Sequence, residues 1–367
     1  MTSVGLQLAA VALVLSAGPC GAGQPPADAA NHAAAATHAG AARRYADMTD
    51  AEVSANISRA HSVAPFGQRL QAVSDPFLGT PYVLGNMGEG PDGDGRDKDP
   101  RYNVKSADCT TFVEHTLAFA LAADLGEARS LLDRIRYDHG LVGYGTRRHW
   151  PEAQWVPGLI AEGFLEDATA QIAGNDVPVE RESIHLSRPA LLASAHEELK
   201  EKLKATEVPA GDFAVPYIPL GSVLRVASRL EPGLVINIVK AEKRGVLTRI
   251  SHQGLIAVKD GQVYVRNASS VGKKAVVDEK LEEFVARQAA AKTWPTVGFN
   301  FLRARERVVA PVAIDAGAAT NLPASALRRP TRAGPEGTRL KPEGSAAANE
   351  EKEEGHAVSP PPPPPSP

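Results

Sequence analysis

The stretch "VKSADCTTFVEHTLAFALA", residues 104–122, holds the one cysteine beyond the first twenty residues. Phe112, Val113, Thr116, Leu117, Ala120 and Leu121 recur at three- and four-residue spacing, which predicts a helix with one largely apolar face. Asp108 or Ser106 can cap its start. Cys109 therefore sits at a helix N-terminus, where unpaired backbone N–H groups and the helix dipole favour a thiolate and could hold an oxyanion. A free cysteine otherwise packs as a small apolar residue.

The surrounding chain argues for use of that thiol. Residues 4–17 are nearly all apolar or small and small residues follow, so residues 1–22 read as a signal peptide, too short for a membrane anchor. Cleavage would leave Cys109 as the only cysteine of an exported protein, unable to form an internal disulfide. A lone thiol in an oxidising compartment is a liability unless buried or used. Cys20 offers a lipidation site, although Pro19 before it fits poorly. The expected location is periplasmic or extracellular.

Of the 19 aromatic residues, 18 lie between Phe66 and Phe301, so one packed unit of about 240–260 residues is expected. Residues 23–44 read as an Ala-rich linker, 45–308 as the folded domain, and 309–367, ending "SPPPPPPSP", as a disordered tail. The net charge is -3 with both signs interspersed, and no basic stripe suggests nucleic acid.

Helices are expected first: "MTDAEVSANISRAHSV" with Thr49 as N-cap, "FGQRLQAVSDPFLG", the Cys109 helix, and a polar helix over "PALLASAHEELKEKLKA". Residues 135–185 look irregular. Strands follow from Pro216: "SVLRVA", "LVINIVK", "HQGLIAV", "QVYVRNA" and "VGFNFLRA", with a hairpin turn at Lys259–Gly261 and a short helix over "VDEKLEEFVAR". Helices followed by an antiparallel sheet make an α+β fold.

A nucleophilic thiol needs a base. His32, His38 and His356 fall in the expected disordered segments, and His115 is nearly two turns along the Cys109 helix. His252 opens a strand in "RISHQGLIAV", and Asn267 follows on the next hairpin strand. The two could lie side by side, with Asn267 accepting the ring N–H and fixing the tautomer. Strand-end packing is the competing role for both residues.

The segments "LGTPYVLG", "DCTTFVEHTLAFAL", "SHQGLIAV" and "VYVRNASS" together resemble the NlpC-type, papain-like cell-wall hydrolases, and more closely their N-acetylmuramoyl-L-alanine amidase-like branch. "RIRYDHGLVGYGTRRHWPEAQW" and "VPYIPLGSV" extend the likeness, which runs from about Phe66 to Phe301. The resemblance implies a papain-like α+β fold, with the nucleophile helix packed on an antiparallel sheet. It implies Cys109 as nucleophile, His252 as general base, Asn267 as the third polar residue and Tyr82 near the oxyanion. It also implies cleavage of the N-acetylmuramoyl–L-Ala amide of peptidoglycan or muropeptides. Cutting the stem peptide between γ-D-Glu and the diamino acid, or binding muropeptide without catalysis, are the alternatives. Two positions depart from the branch: Asn267 stands where His is common, and Gly233-Leu234 where Gly-Asp is usual.

Asp108, Arg148, His149 and Trp150 are the expected substrate contacts, since Arg pairs with carboxylates and aromatic rings stack on sugars. Core anchoring is the alternative for Trp150 and for Trp155. No cofactor or metal is expected. "PDGDGRDKDP" has Asn103 where a calcium loop starting at Asp92 needs Glu, and "HEELK" has Lys200 where a zinc helix needs His. The protein is expected to act as a monomer.

Overall fold

The computed structural model describes residues 43–306. The expected leader, nearly all of the linker, and the tail lie outside the described residues. The observed fold is α+β, as expected from the element order.

Two helices precede the cysteine and a third starts with it. Helix α1 (Asp50–Ala60) starts at Thr49, whose hydroxyl accepts from Glu52 N while Glu52 reaches back to the Thr49 N–H. That reciprocal cap contributes about 1 kcal/mol. Helix α2 (Phe66–Ser74) runs into a 3-10 turn, and Gly79 ends the segment at φ +81°. Helix α3 (Cys109–Leu121) is capped by Asp108 and buries every residue from Thr111 to Ala120. Burial on all sides includes Glu114 and His115, so the expected single apolar face is only part of the pattern. Glu114 is paired with Arg136 at 2.9 Å and accepts from Trp155 Nε1 at 3.2 Å. Arg136 lies in α4 (Leu125–Arg136). Short helices α5 to α8 follow at Val156–Ala161, Thr169–Ala173, Arg188–Leu192 and Glu197–Lys202. The polar helix expected at 189–205 is thus broken in two, where Ser194 Oγ bonds the Leu191 carbonyl and the His196 N–H.

The sheet has eight strands: β1 (Leu165–Asp167), β2 (Glu180–Leu186), β3 (Gly211–Pro219), β4 (Val235–Lys240), β5 (Ile250–Lys259), β6 (Gln262–Ala268), β7 (Val276–Lys280) and β8 (Thr296–Ala304). Their order is β2-β3-β8-β4-β5-β6-β7, with β1 also on β8, and the pairs are antiparallel. Three strands precede the point where strands were expected to begin. "SVLRVA" is not a strand but part of a 3-10 helix, Leu220–Arg229. Its buried residues, Val223 and Val226, are three apart, the period of that helix. Residues 277–280 of the expected short helix fall in β7, and helix α9 begins at Leu281 (Leu281–Ala289).

Alternation along the strands divides the core. Val235, Leu255, Ala268 and Leu302 pack with α1 to α4, including Phe112 and Leu117. Ile236, Ile238, Ile256, Val265, Phe299 and Phe301 pack with α9 and the 3-10 helix. The tight turn at Asp260–Gly261, with φ of +50° and +77°, sets the β5–β6 register and hence what lies beside His252.

Candidate active site

The N-terminus of α3 meets the start of β5. Thr110 Oγ1 donates to Gln253 Oε1 at 2.8 Å, tying the residue after the cysteine to the residue after the histidine. Gln253 Nε2 donates to Asn237 Oδ1, and Asn237 Nδ2 to Asn300 Oδ1, both at 2.9 Å. Asn300 Nδ2 then meets Asp167, Thr169 and the Pro216 carbonyl. These three amides are at most 1 % exposed and form one satisfied ladder across β5, β4 and β8. A buried polar chain with every member paired holds a single geometry, so it fixes where the first turn of α3 sits on the sheet.

The expected pair comes together. His252 Nε2 lies 2.9 Å from Asn267 Oδ1. Asn267 Nδ2 donates to the Val265 carbonyl, which orients the amide and leaves Oδ1 to accept. The imidazole proton then resides on Nε2, and Nδ1 keeps its lone pair. The two residues are diagonal rather than side by side, because the β5–β6 register sets Leu255 against Arg266 and so Gly254 against Asn267. A Cβ at Gly254 would stand 2.7 Å from the Arg266 carbonyl oxygen and 3.1 Å from Asn267 Cβ. Glycine there lets the two strands close on the pair.

Cys109 is a half-buried free thiol with Sγ 3.9 Å from Thr110 Oγ1. Burial pushes it up, to about 12, and the Asp108 carboxylate adds to the rise. Burial outweighs the expected lowering by the helix N-terminus. Burial likewise holds His252 below its ordinary value, with Asn267 opposing. Tyr82 is half-buried, its segment bridged to Ala107 and its N–H bonded to the Lys274 carbonyl at 2.7 Å. Burial pushes its phenol up to about 12, and the Asp108 carboxylate adds to the rise. Among the described residues, neither the Tyr82 hydroxyl nor the Cys109 N–H makes a hydrogen bond.

A family model described as N-acetylmuramoyl-L-alanine amidase-like matches residues 72–291, more than half of the chain. The chain belongs to that amidase-like family. Among solved structures, this amidase-like chain is similar to a Legionella pneumophila protein of the DUF1460 family, with TM-score 0.61 and 25% identity, over 70% of this chain and 94% of that one. It is also similar to an N-acetylmuramoyl-L-alanine amidase from Bacteroides uniformis, with TM-score 0.50 and 25% identity, over 65% of this chain and 99% of that one. No curated protein matches the sequence.

The expected substrate contacts of this amidase-like chain occupy other surroundings. Asp108 is the cap of α3, accepting from Thr111 N at 2.8 Å and Gly85 N at 3.1 Å. Arg148 is buried and donates to the carbonyls of Arg134 and Ile135 and to Glu162. His149 meets the Tyr144 carbonyl at 2.7 Å. Trp150 is 2 % exposed and packs with Ile184, Leu186 and Leu191, so it presents no ring face to a sugar. For these four the structure supplies core and capping roles instead. In the acidic loop, Asp94 is paired with Arg96, and Asp97 with Arg147. Sequence reasoning missed Gln253. A polar residue inside an otherwise apolar strand, such as Asn237 in "VINIVK", was the available signal for the ladder.

Proposed function

We propose that this chain is an exported cysteine amidase that cleaves the N-acetylmuramoyl–L-Ala amide of peptidoglycan or muropeptides, within a papain-like, NlpC-type frame. The observation that carries the reading is the His252–Asn267 bond beside the first turn of α3, which starts at Cys109. His252 Nδ1 takes the thiol proton as Sγ attacks the lactyl carbonyl carbon. The free Cys109 N–H and the Tyr82 hydroxyl are available to the developing oxyanion. The protonated His252 then donates to the departing amine of L-Ala, and water, deprotonated by the same ring, releases the acyl group. Asn267 holds the ring in the required tautomer throughout. The apolar stretch at residues 4–17 supports export.

The test is mass spectrometry of muropeptides incubated with the wild type and with Cys109→Ala. Free peptide beginning with L-Ala, absent with the variant, is the expected result. A shortened stem still attached to its sugar would move the cut to the γ-D-Glu–diamino acid bond. Intact substrate that binds both proteins would replace catalysis with a binding role.

A further inference from the structure

A cleft of about 450 Å³ opens beside His252, with Ile238, Lys240, Asn267, Arg287 and Gln288 among its walls. Cys109 is not one of them. The cations in this cleft differ in one respect. Arg287 on α9 is neutralised by Glu279 on β7 through contacts of 2.9 and 2.7 Å. Lys240, at the end of β4, is only 9 % exposed and has no carboxylate within ion-pair distance among the described residues. Its ammonium donates to Thr296 Oγ1 at 2.8 Å and the Trp294 carbonyl at 3.1 Å, both neutral acceptors. An ammonium has three N–H groups, so one is left without a hydrogen-bond acceptor, with the Trp294 ring centroid 5.9 Å from Nζ as its other neighbour. Burial, and then the nearby Arg287, lower the Lys240 pKa, as expected for a cation held without a counter-charge. Such an arrangement is costly unless an anion enters.

We propose that Lys240 is the receptor for a carboxylate on the leaving peptide, the α-carboxylate of the γ-linked D-Glu that follows L-Ala. The proposal rests on the amidase reading above. His252 protonates the departing amine, so a cleft that touches His252 and not Cys109 receives the leaving half of the substrate. A glutamate linked through its side-chain carboxyl keeps its α-carboxylate free, which sets one fixed negative charge just beyond the cleaved bond. Ile238 supplies an apolar wall, and the charge of Lys240 supplies the discrimination between acid and amide.

The experiment is calorimetric titration of the Cys109→Ala protein, which needs no turnover, with L-Ala–γ-D-Glu–diaminopimelate and with the same peptide carrying an α-amide on the glutamate. The acid is expected to bind at least tenfold more tightly. Lys240→Met should remove the preference, and Lys240→Arg should keep most of it. Equal affinity for the two peptides, no binding of either, or a preference that survives Lys240→Met overturns the proposal. The acid–amide comparison on the unsubstituted Lys240 site stands even if the Met variant fails to fold. If the preference is present but wild-type protein releases no peptide beginning with L-Ala, the amidase reading fails and the carboxylate site stands.

Discussion

Two regions of the molecule combine histidine with chemically capable neighbours, and they differ in what those neighbours are doing. In the segment from Tyr144 to Trp155, the polar side chains are committed internally. Arg147 is held by Glu89 and Asp97, Arg148 by two carbonyls and Glu162, His149 by the Tyr144 carbonyl, and Trp155 by Glu114. Around Cys109 and His252, bonding capacity is left over. The thiol has only a long contact to a hydroxyl, the Cys109 N–H is free, Nδ1 of His252 keeps its lone pair, and Lys240 has an N–H without a hydrogen-bond acceptor. Residue type marks both regions as candidates. Unspent capacity, held in place by a satisfied ladder through Gln253, separates the one suited to chemistry from the one suited to holding the fold.

Substitutions can break this contrast. The largest expected effect is on His252. His252→Ala should lower kcat/KM on muropeptide by roughly four orders of magnitude with little change in Tm, as removal of a general base does. His149→Ala should do the reverse, lowering Tm while kcat/KM of the folded protein is kept. Steady-state kinetics with a thermal melt on each variant checks both, and a His149 variant that melts normally but is inactive would collapse the distinction. The next effect is on Trp150. Trp150→Ala should cost about 3–5 kcal/mol of stability, read by chemical denaturation, with KM unchanged. An unchanged denaturation midpoint with a raised KM would return the indole to the substrate.

The sequence carried the ends of this architecture better than its middle. Thr49, Asp108 and the Asp260–Gly261 turn are local signals, since a cap or a tight turn is decided by a few adjacent residues, and each is found where its chemistry predicts. The His252–Asn267 pair was also readable, because a hairpin fixes which residues meet once its turn is known. Its diagonal geometry was not, because a shift in the turn centre moves every partner. Strand β1 was hidden because its partner, β8, lies far along the chain, and Glu180–Leu186 because its buried–exposed alternation is confined to Ile184–Leu186, too short a run to mark a half-buried strand. Trp150 and Arg148 were misread for a related reason. Composition shows that a residue can contact a ligand, but only packing shows whether its faces are already covered.

The smallest predicted effect concerns pH, and it tests whether the thiol rests as S–H. His252 is held below the ordinary histidine value by burial, so its neutral, proton-accepting form persists as pH falls through 6.5. Activity should therefore be level around pH 7 and decline only at pH below that value. The thiol, raised to about 12, stays protonated across the same range. Alkylation by iodoacetamide without substrate depends on the thiolate, so its rate should be low at pH 7 and climb about tenfold per pH unit into the alkaline range. A preformed thiolate–imidazolium pair would behave differently, giving a rate that is flat between the two pKa values. A plateau from pH 6 to 8 would mean that charge separation, rather than burial, governs Cys109 at rest. Continuous increase would mean that His252 removes the proton only as substrate arrives, with the leftover capacity of the site spent in the reaction itself.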